Sequence, residues 1–342
     1  MKKIIAGALA LSMGSALAGN VMPEMTRDGK TKNDLGVAWS KRNAAVLSYD
    51  TLTQDREVSG TETAEVKTTN LNPYVFGTHG AFSGELSYNI NKVENTPKTG
   101  TSTETDTNSL DLDAAYRINN MFAVTFGYGT EKEESTGSEE TEKDMVFGFS
   151  YNHGNGLIAG VSYSLSNQED VSGSTTTEVD YSVISLGVGY QNWNNKDGYT
   201  VEAFYQTRGK EKDTQSVGDM TNLELHGTYA MGAWELDGVF GTMKEENYAG
   251  TTETTTTTFG LDFEYMINAN IYVTPQFAQA KAETETGSTT SETKVTTFGS
   301  EFGYRTAMWD ANLELAQVKS ETDSSNTEDS GLKLGVNFGY FF

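Results

Sequence analysis

From Phe122 the chain alternates, with Phe122, Val124, Phe126 and Tyr128 on one side and Ala123, Thr125, Gly127 and Gly129 on the other. Successive side chains of an extended strand point to opposite faces, so this period of two predicts a strand with one apolar face. The pattern returns at Met145, Phe147, Phe149 and Tyr151, at Leu157, Ala159, Val161 and Tyr163, and at Ile184, Leu186, Val188 and Tyr190. Further on it recurs at Phe259, Leu261, Phe263 and Tyr265, at Ile271, Val273, Pro275 and Phe277, and at Trp309, Ala311, Leu313 and Leu315. About sixteen such segments are expected, each of roughly ten residues. They begin near residues 44, 63, 81, 107, 122, 143, 157, 179, 199, 220, 233, 256, 271, 293, 308 and 331.

The connections fall into two kinds. Gly77-Thr78-His79-Gly80, Asn119-Asn120, Gly154-Asn155-Gly156 and Asn268-Ala269-Asn270 carry Gly and Asn, which tolerate positive φ and suit tight turns. Alternating with them are connections expected as loops of about 8 to 12 residues, rich in Glu, Thr and Ser, such as Glu131 to Glu142 and Glu283 to Ser291. The repeat holds two strands, whereas a propeller blade needs about four, so a propeller is the less consistent architecture. Pro73 and Pro275 fall inside predicted strands, where β-bulges are expected to absorb them.

The face opposite the apolar one is Ser, Thr, Asn, Gly and charge in strand after strand, which suits a barrel that turns its apolar face to lipid and its polar face to a lumen. The expected fold is therefore all-β, a transmembrane antiparallel up-and-down β-barrel with short periplasmic turns and longer acidic extracellular loops. The termini agree. Lys2 and Lys3 precede an apolar run from Ile4 to Leu11 and a small-residue site at Ala16-Leu17-Ala18, so residues 1–18 read as a secretory signal peptide. Beyond residue 18 no stretch approaches the roughly 20 apolar residues of a membrane helix. Residues 19–43 read as a periplasmic tail, with a plug or an additional strand over 34–40 as alternatives, and 44–342 as the barrel.

Aromatic residues are ordered along the strands. Trp234 and Trp309 stand at strand starts, Trp193 in a short turn and Trp39 before the first strand, all at the proposed periplasmic rim. Tyr88, Tyr128, Tyr163 and Tyr205 stand about six residues further along, which predicts aromatic belts at both lipid interfaces. The chain closes on an alternating strand that includes Phe338, Tyr340 and Phe342. This ending resembles the carboxy-terminal assembly signal of Gram-negative outer-membrane proteins, and the mature chain as a whole resembles the porin class. That resemblance implies outer-membrane lipid and lipopolysaccharide as surroundings, the barrel-assembly machinery as a partner and a homotrimer as the assembly. A constriction-loop motif of Pro-Glu-Phe-Gly-Gly type is absent from the sequence.

Charge narrows the function. Without the signal-peptide lysines, 22 basic residues face 48 acidic ones, a net charge near −26. Nucleic acid is excluded as a partner for want of a basic face. Cysteine is absent, so the fold relies on strand pairing. The strand register assigns Glu85, Asp111, Asp113, Glu202, Glu224, Glu235, Asp237, Asp262, Glu264, Glu301, Asp310 and Glu314 to the lumen, with Arg117, Arg208, Arg305 and Lys333 among them. Such a wall favours cations. The histidines are His79 and His153 in turns and His226 on the inner wall, and no Gly-x-Ser-x-Gly elbow accompanies them, so no catalytic site is expected. Asp111/Asp113 and Glu235/Asp237 are same-face pairs without a calcium-loop motif, so no cofactor is expected beyond Ca²⁺ or Mg²⁺ loosely held at the acidic loops.

Overall fold

The computed structural model describes residues 43–194, 197–209, 218–247 and 249–342. Its strands are β1 (Ala44–Val58), β2 (Thr61–His79), β3 (Phe82–Pro97), β4 (Thr103–Arg117), β5 (Phe122–Ser135), β6 (Ser138–Asn152), β7 (Gly156–Ser172), β8 (Thr175–Asn194), β9 (Asp197–Arg208), β10 (Met220–Met231), β11 (Trp234–Glu246), β12 (Thr252–Met266), β13 (Ile271–Thr286), β14 (Thr289–Arg305), β15 (Trp309–Thr322) and β16 (Thr327–Phe341). Each pairs with its neighbours in sequence, and β1 also pairs antiparallel with β16, which closes the barrel. The signal peptide, Trp39 and the 19–43 segment, save Asn43, lie outside the described residues.

The two faces divide as the alternation requires. Leu186 is 49% exposed and Phe147 50%, whereas Glu235 is 1% exposed and Glu314 2%. A barrel in water would gain nothing by this arrangement; one in hydrocarbon buries the outer apolar side chains in lipid and satisfies every backbone group by closure. No helix among the described residues is long and apolar enough to cross a membrane, so crossing falls to the strands.

The two expected acidic loops at 131–142 and 283–291 are strand instead. β5 and β6 run straight through 131–142 and meet at Thr136-Gly137, and β13 and β14 run through 283–291 to Gly287-Ser288. Consequently β4, β6, β8, β12, β14 and β16 begin four or five residues before the positions that apolar alternation marks. The reason is length. A strand of 15 residues such as β16 spans about 50 Å, or about 38 Å of barrel height at a 40° tilt, against an apolar band about 25 Å tall. Above that band the outer face turns polar, so the apolar signal stops, while backbone pairing and the β-branched threonines carry the ladder onward.

The prolines are accommodated without bulges. The β2–β3 ladder passes from Leu71↔Ile90 to Tyr74↔Ser87, and the β12–β13 ladder from Asp262↔Gln276 to Tyr265↔Val273, each lapsing beside a proline with the register unchanged. A missing N–H costs one side of the ladder locally and needs no extra residue. At the end of the barrel that carries Asn43 and Phe342, three turns share one device. The side-chain oxygens of Asn119, Asn268 and Thr306 each accept from two backbone N–H groups two and three residues on, at 2.8 to 3.2 Å. These short polar side chains replace backbone partners that the turn leaves unpaired.

Candidate channel wall

Every charged residue assigned to the lumen from the sequence stands on the inner face, each between outward-facing neighbours. What the sequence could not give is how they combine. Around Arg305 the barrel builds a network: its guanidinium donates to both oxygens of Glu264 at 3.0 and 3.1 Å and to Asp310 at 2.6 Å. It also lies 4.4 Å over the Tyr272 ring. The Tyr272 hydroxyl bridges Glu301 at 3.0 Å and Asp310 at 2.9 Å, and accepts from Asn312 at 3.2 Å. Tyr272 reaches this far because Gly303 opposite it has no side chain; a Cβ there would meet the ring at 2.0 Å. Asp262, two residues before Glu264, shares that face of β12.

Other members pair locally. Lys333 bridges to Glu314 at 3.1 Å beside the closing seam, where Arg56 also grips Asp329 through two 2.8 Å hydrogen bonds. Asp237 accepts from Thr228 at 2.6 Å, and Glu224 lies 3.0 Å from His226. Glu202 and Glu235 are buried on β9 and β11. Glu85 stands directly opposite Asp113, and Asp111 one step along the same face. Arg117 sits near the terminal rim, donating to the carbonyl of Gly80. Arg208 is held by Glu245 and stacks over Tyr181 at 5.0 Å. Two small apolar clusters interrupt the polar wall, Phe76 with Ala115 and Ala123, and Leu52 with Val295 and Val318.

The sequence reading missed a set of inner-wall carboxylates, four of them because it took residues 131–142 for a loop. Glu131 and Glu133 on β5, Glu140, Glu142 and Asp144 on β6 and Asp170 on β7 line the mouth at the acidic end. Period two in the charges themselves, at 131, 133 and at 140, 142, 144, was the available signal. Glu140 lies above the apolar band, where burial, with Asp170 and Glu133 adding repulsion, pushes its carboxyl up to about 6. Among the described residues no group of three or more His, Cys, Asp or Glu side chains is arranged to hold a metal ion.

The aromatics separate by face. Trp234 and Trp309 point outward at the terminal end, and Tyr88, Tyr128, Tyr163 and Tyr205 point outward towards the other edge of the apolar band. Trp193 differs from expectation. It belongs to β8 rather than to a turn and stands on the inner face, its indole N–H donating to the Thr200 hydroxyl at 2.9 Å. It shares its face with Gln191, and Tyr190 takes the outward position beside it. On the last strand Phe338 and Tyr340 face outward, and Phe342 follows it, its N–H donating to the Asn43 carbonyl at 3.1 Å.

A closed barrel with an apolar outer wall and a charged inner wall is the architecture of an outer-membrane channel protein. The sequence model of the Gram-negative porin family matches residues 135–340, and the chain belongs to that family. It is an outer-membrane channel for small solutes, set in the lipid and lipopolysaccharide of that membrane. Among solved structures it is similar in fold to the CymD monoaromatic hydrocarbon channel, with 9% identity, a TM-score of 0.53 and coverage of 96% of this chain and 94% of that one. It also aligns with the Pseudomonas putida toluene transporter TodX, at 10% identity and a TM-score of 0.49, covering 96% of each chain. No curated protein matches the sequence.

Proposed function

We propose that the barrel is a water-filled diffusion channel for small polar solutes and ions with a preference for cations. The observation that carries this is the surplus of carboxylates over basic groups on the inner wall, with the Arg305 and Lys333 charges already committed to Glu264, Asp310 and Glu314. A surplus of fixed negative charge around water lowers the energy of an entering cation and raises that of an anion. The acidic end faces outside, with the termini in the periplasm. The assembly machinery reads the last strand, three copies associate through outer apolar faces, and Ca²⁺ or Mg²⁺ gathers loosely at the acidic rim. The mature protein in planar bilayers, under a KCl gradient, should give steady steps with a cation-selective reversal potential. Folded protein that gives no steps overturns the diffusion-channel reading.

A second reading, a route for apolar solutes of the kind named for CymD, draws on the two apolar clusters of the inner wall. They are small patches separated by charged rows, which is why the polar route is preferred. Uptake of toluene into liposomes faster than protein-free leak would favour the second reading.

A further inference from the structure

The β5–β6 hairpin carries glutamate pairs on both of its faces, and the two faces treat them differently. Outside, Glu134 and Glu139 stand directly opposite one another with the Lys132 ammonium between them, 2.6 and 3.1 Å from their carboxylates. The same outward trio recurs as Lys281 with Glu283 and Glu292, and as Lys319 with Glu321 and Glu328. Inside, Glu131 faces Glu142 and Glu133 faces Glu140 with no lysine in either row, and Asp170 extends the second row onto β7. Like charges directly opposite on neighbouring strands destabilise a sheet, so the hairpin neutralises the pairing where it faces outward and tolerates it where it faces the lumen.

The inner partners are neutral donors. Gln168 donates to Glu140 at 2.8 Å, the Tyr181 hydroxyl to Glu142 and the Ser166 hydroxyl to Asp144. Arg208, which stacks over the ring of Tyr181, is engaged by Glu245. At the same height the facing wall is uncharged, presenting Thr254, Thr256, Ala280, Val295 and Val318 on the inner faces of β12 to β15. Three adjacent strands span about 10 Å, close to the screening length of physiological salt, so the carboxylates act on a passing ion together.

We infer that the inner wall of β5, β6 and β7 at the acidic mouth is the selectivity determinant of the channel, a one-sided cation track formed by Glu131, Glu133, Glu140, Glu142, Asp144 and Asp170. The inference rests on the channel reading and adds a location to it. The Arg305 network, whose guanidinium is held by Glu264 and Asp310, stands at the other end of the strands, where β14 ends.

The test is a comparison of reversal potentials under a KCl gradient. One variant carries Glu131→Gln, Glu133→Gln, Glu140→Gln, Glu142→Gln, Asp144→Asn and Asp170→Asn; a second carries Glu134→Gln and Glu139→Gln on the outer face. Both are near-isosteric, and heat-modifiable migration on gels reports whether each barrel has closed. The first should lower the cation-to-anion permeability ratio by at least about threefold, while the second stays within about 1.5-fold of the parent. A conducting first variant of unchanged selectivity overturns the assignment and leaves the channel reading intact, as does an equal loss in the second. A silent parent protein overturns both. If the six-fold variant fails to close, Glu133→Gln with Glu140→Gln, which removes only one opposed pair, must still lower the ratio.

Discussion

At the scale of residues, the inner wall depends on what is missing as much as on what is present. Gly303 permits Tyr272 to lie across β14 and join Glu301, Asp310 and Asn312. Gly303→Ala puts a methyl where the ring lies and should destabilise the barrel by about 1 to 3 kcal/mol through overpacking. The midpoint of urea unfolding in detergent measures this, and an unchanged midpoint would mean that Tyr272 does not rest there. Nothing local in the sequence distinguishes Gly303 from Gly299 four residues earlier, since the ring that needs the space comes from another strand. The charged residues themselves were legible because alternation assigns each to a face. Their pairing was not, because Arg305 and Glu264 are separated by a strand and two turns.

At the scale of elements, the terminal-end turns are readable from Asn and Gly, since they must be tight and their side chains act on neighbouring backbone. The acidic ends were misread because hydrophobic alternation reports the environment of a strand and not its hydrogen bonding. Where lipid ends, both faces become polar and the signal stops, although pairing continues to Gly287-Ser288. This predicts tolerance of even deletions. Removing Thr284 and Glu285 together with Thr290 and Ser291 shortens the β13–β14 hairpin without changing faces. It should alter stability by no more than about 1 kcal/mol, with conductance retained. Deleting Ala278 alone would turn every residue on one side of the break to the wrong face, and such a chain should not yield heat-modifiable barrel.

At the scale of the whole molecule, the arrangement of charge predicts a pH response. Burial, with Asp170 and Glu133 crowding it from the adjacent strands and Glu142 and Glu131 in the next row, pushes the Glu140 carboxyl at the mouth up to about 6. Its folded-state carboxyl is raised, so acid removes mouth charge before an ordinary carboxylate would titrate. Cation selectivity should therefore fall between about pH 7 and 5, and the Glu140→Gln variant should respond less over that interval. Reversal potentials in the same bilayers provide the measurement, and a selectivity constant down to pH 5 would count against the mouth as the filter.

The sequence by itself determined the number of strands, their faces and their cellular destination, because period two is a local property that survives in one dimension. It also assigned each charged residue to one face of its strand, for the same reason. Only the tertiary structure decided that the first and last strands close the ring, that Trp193 turns inward and that the acidic segments stand as paired strand. It alone set outward glutamates against lysine and inward ones against each other. Those outcomes depend on which strand lies beside which and at what register, and a residue's partner across a barrel wall is set by that geometry rather than by its neighbours in the chain.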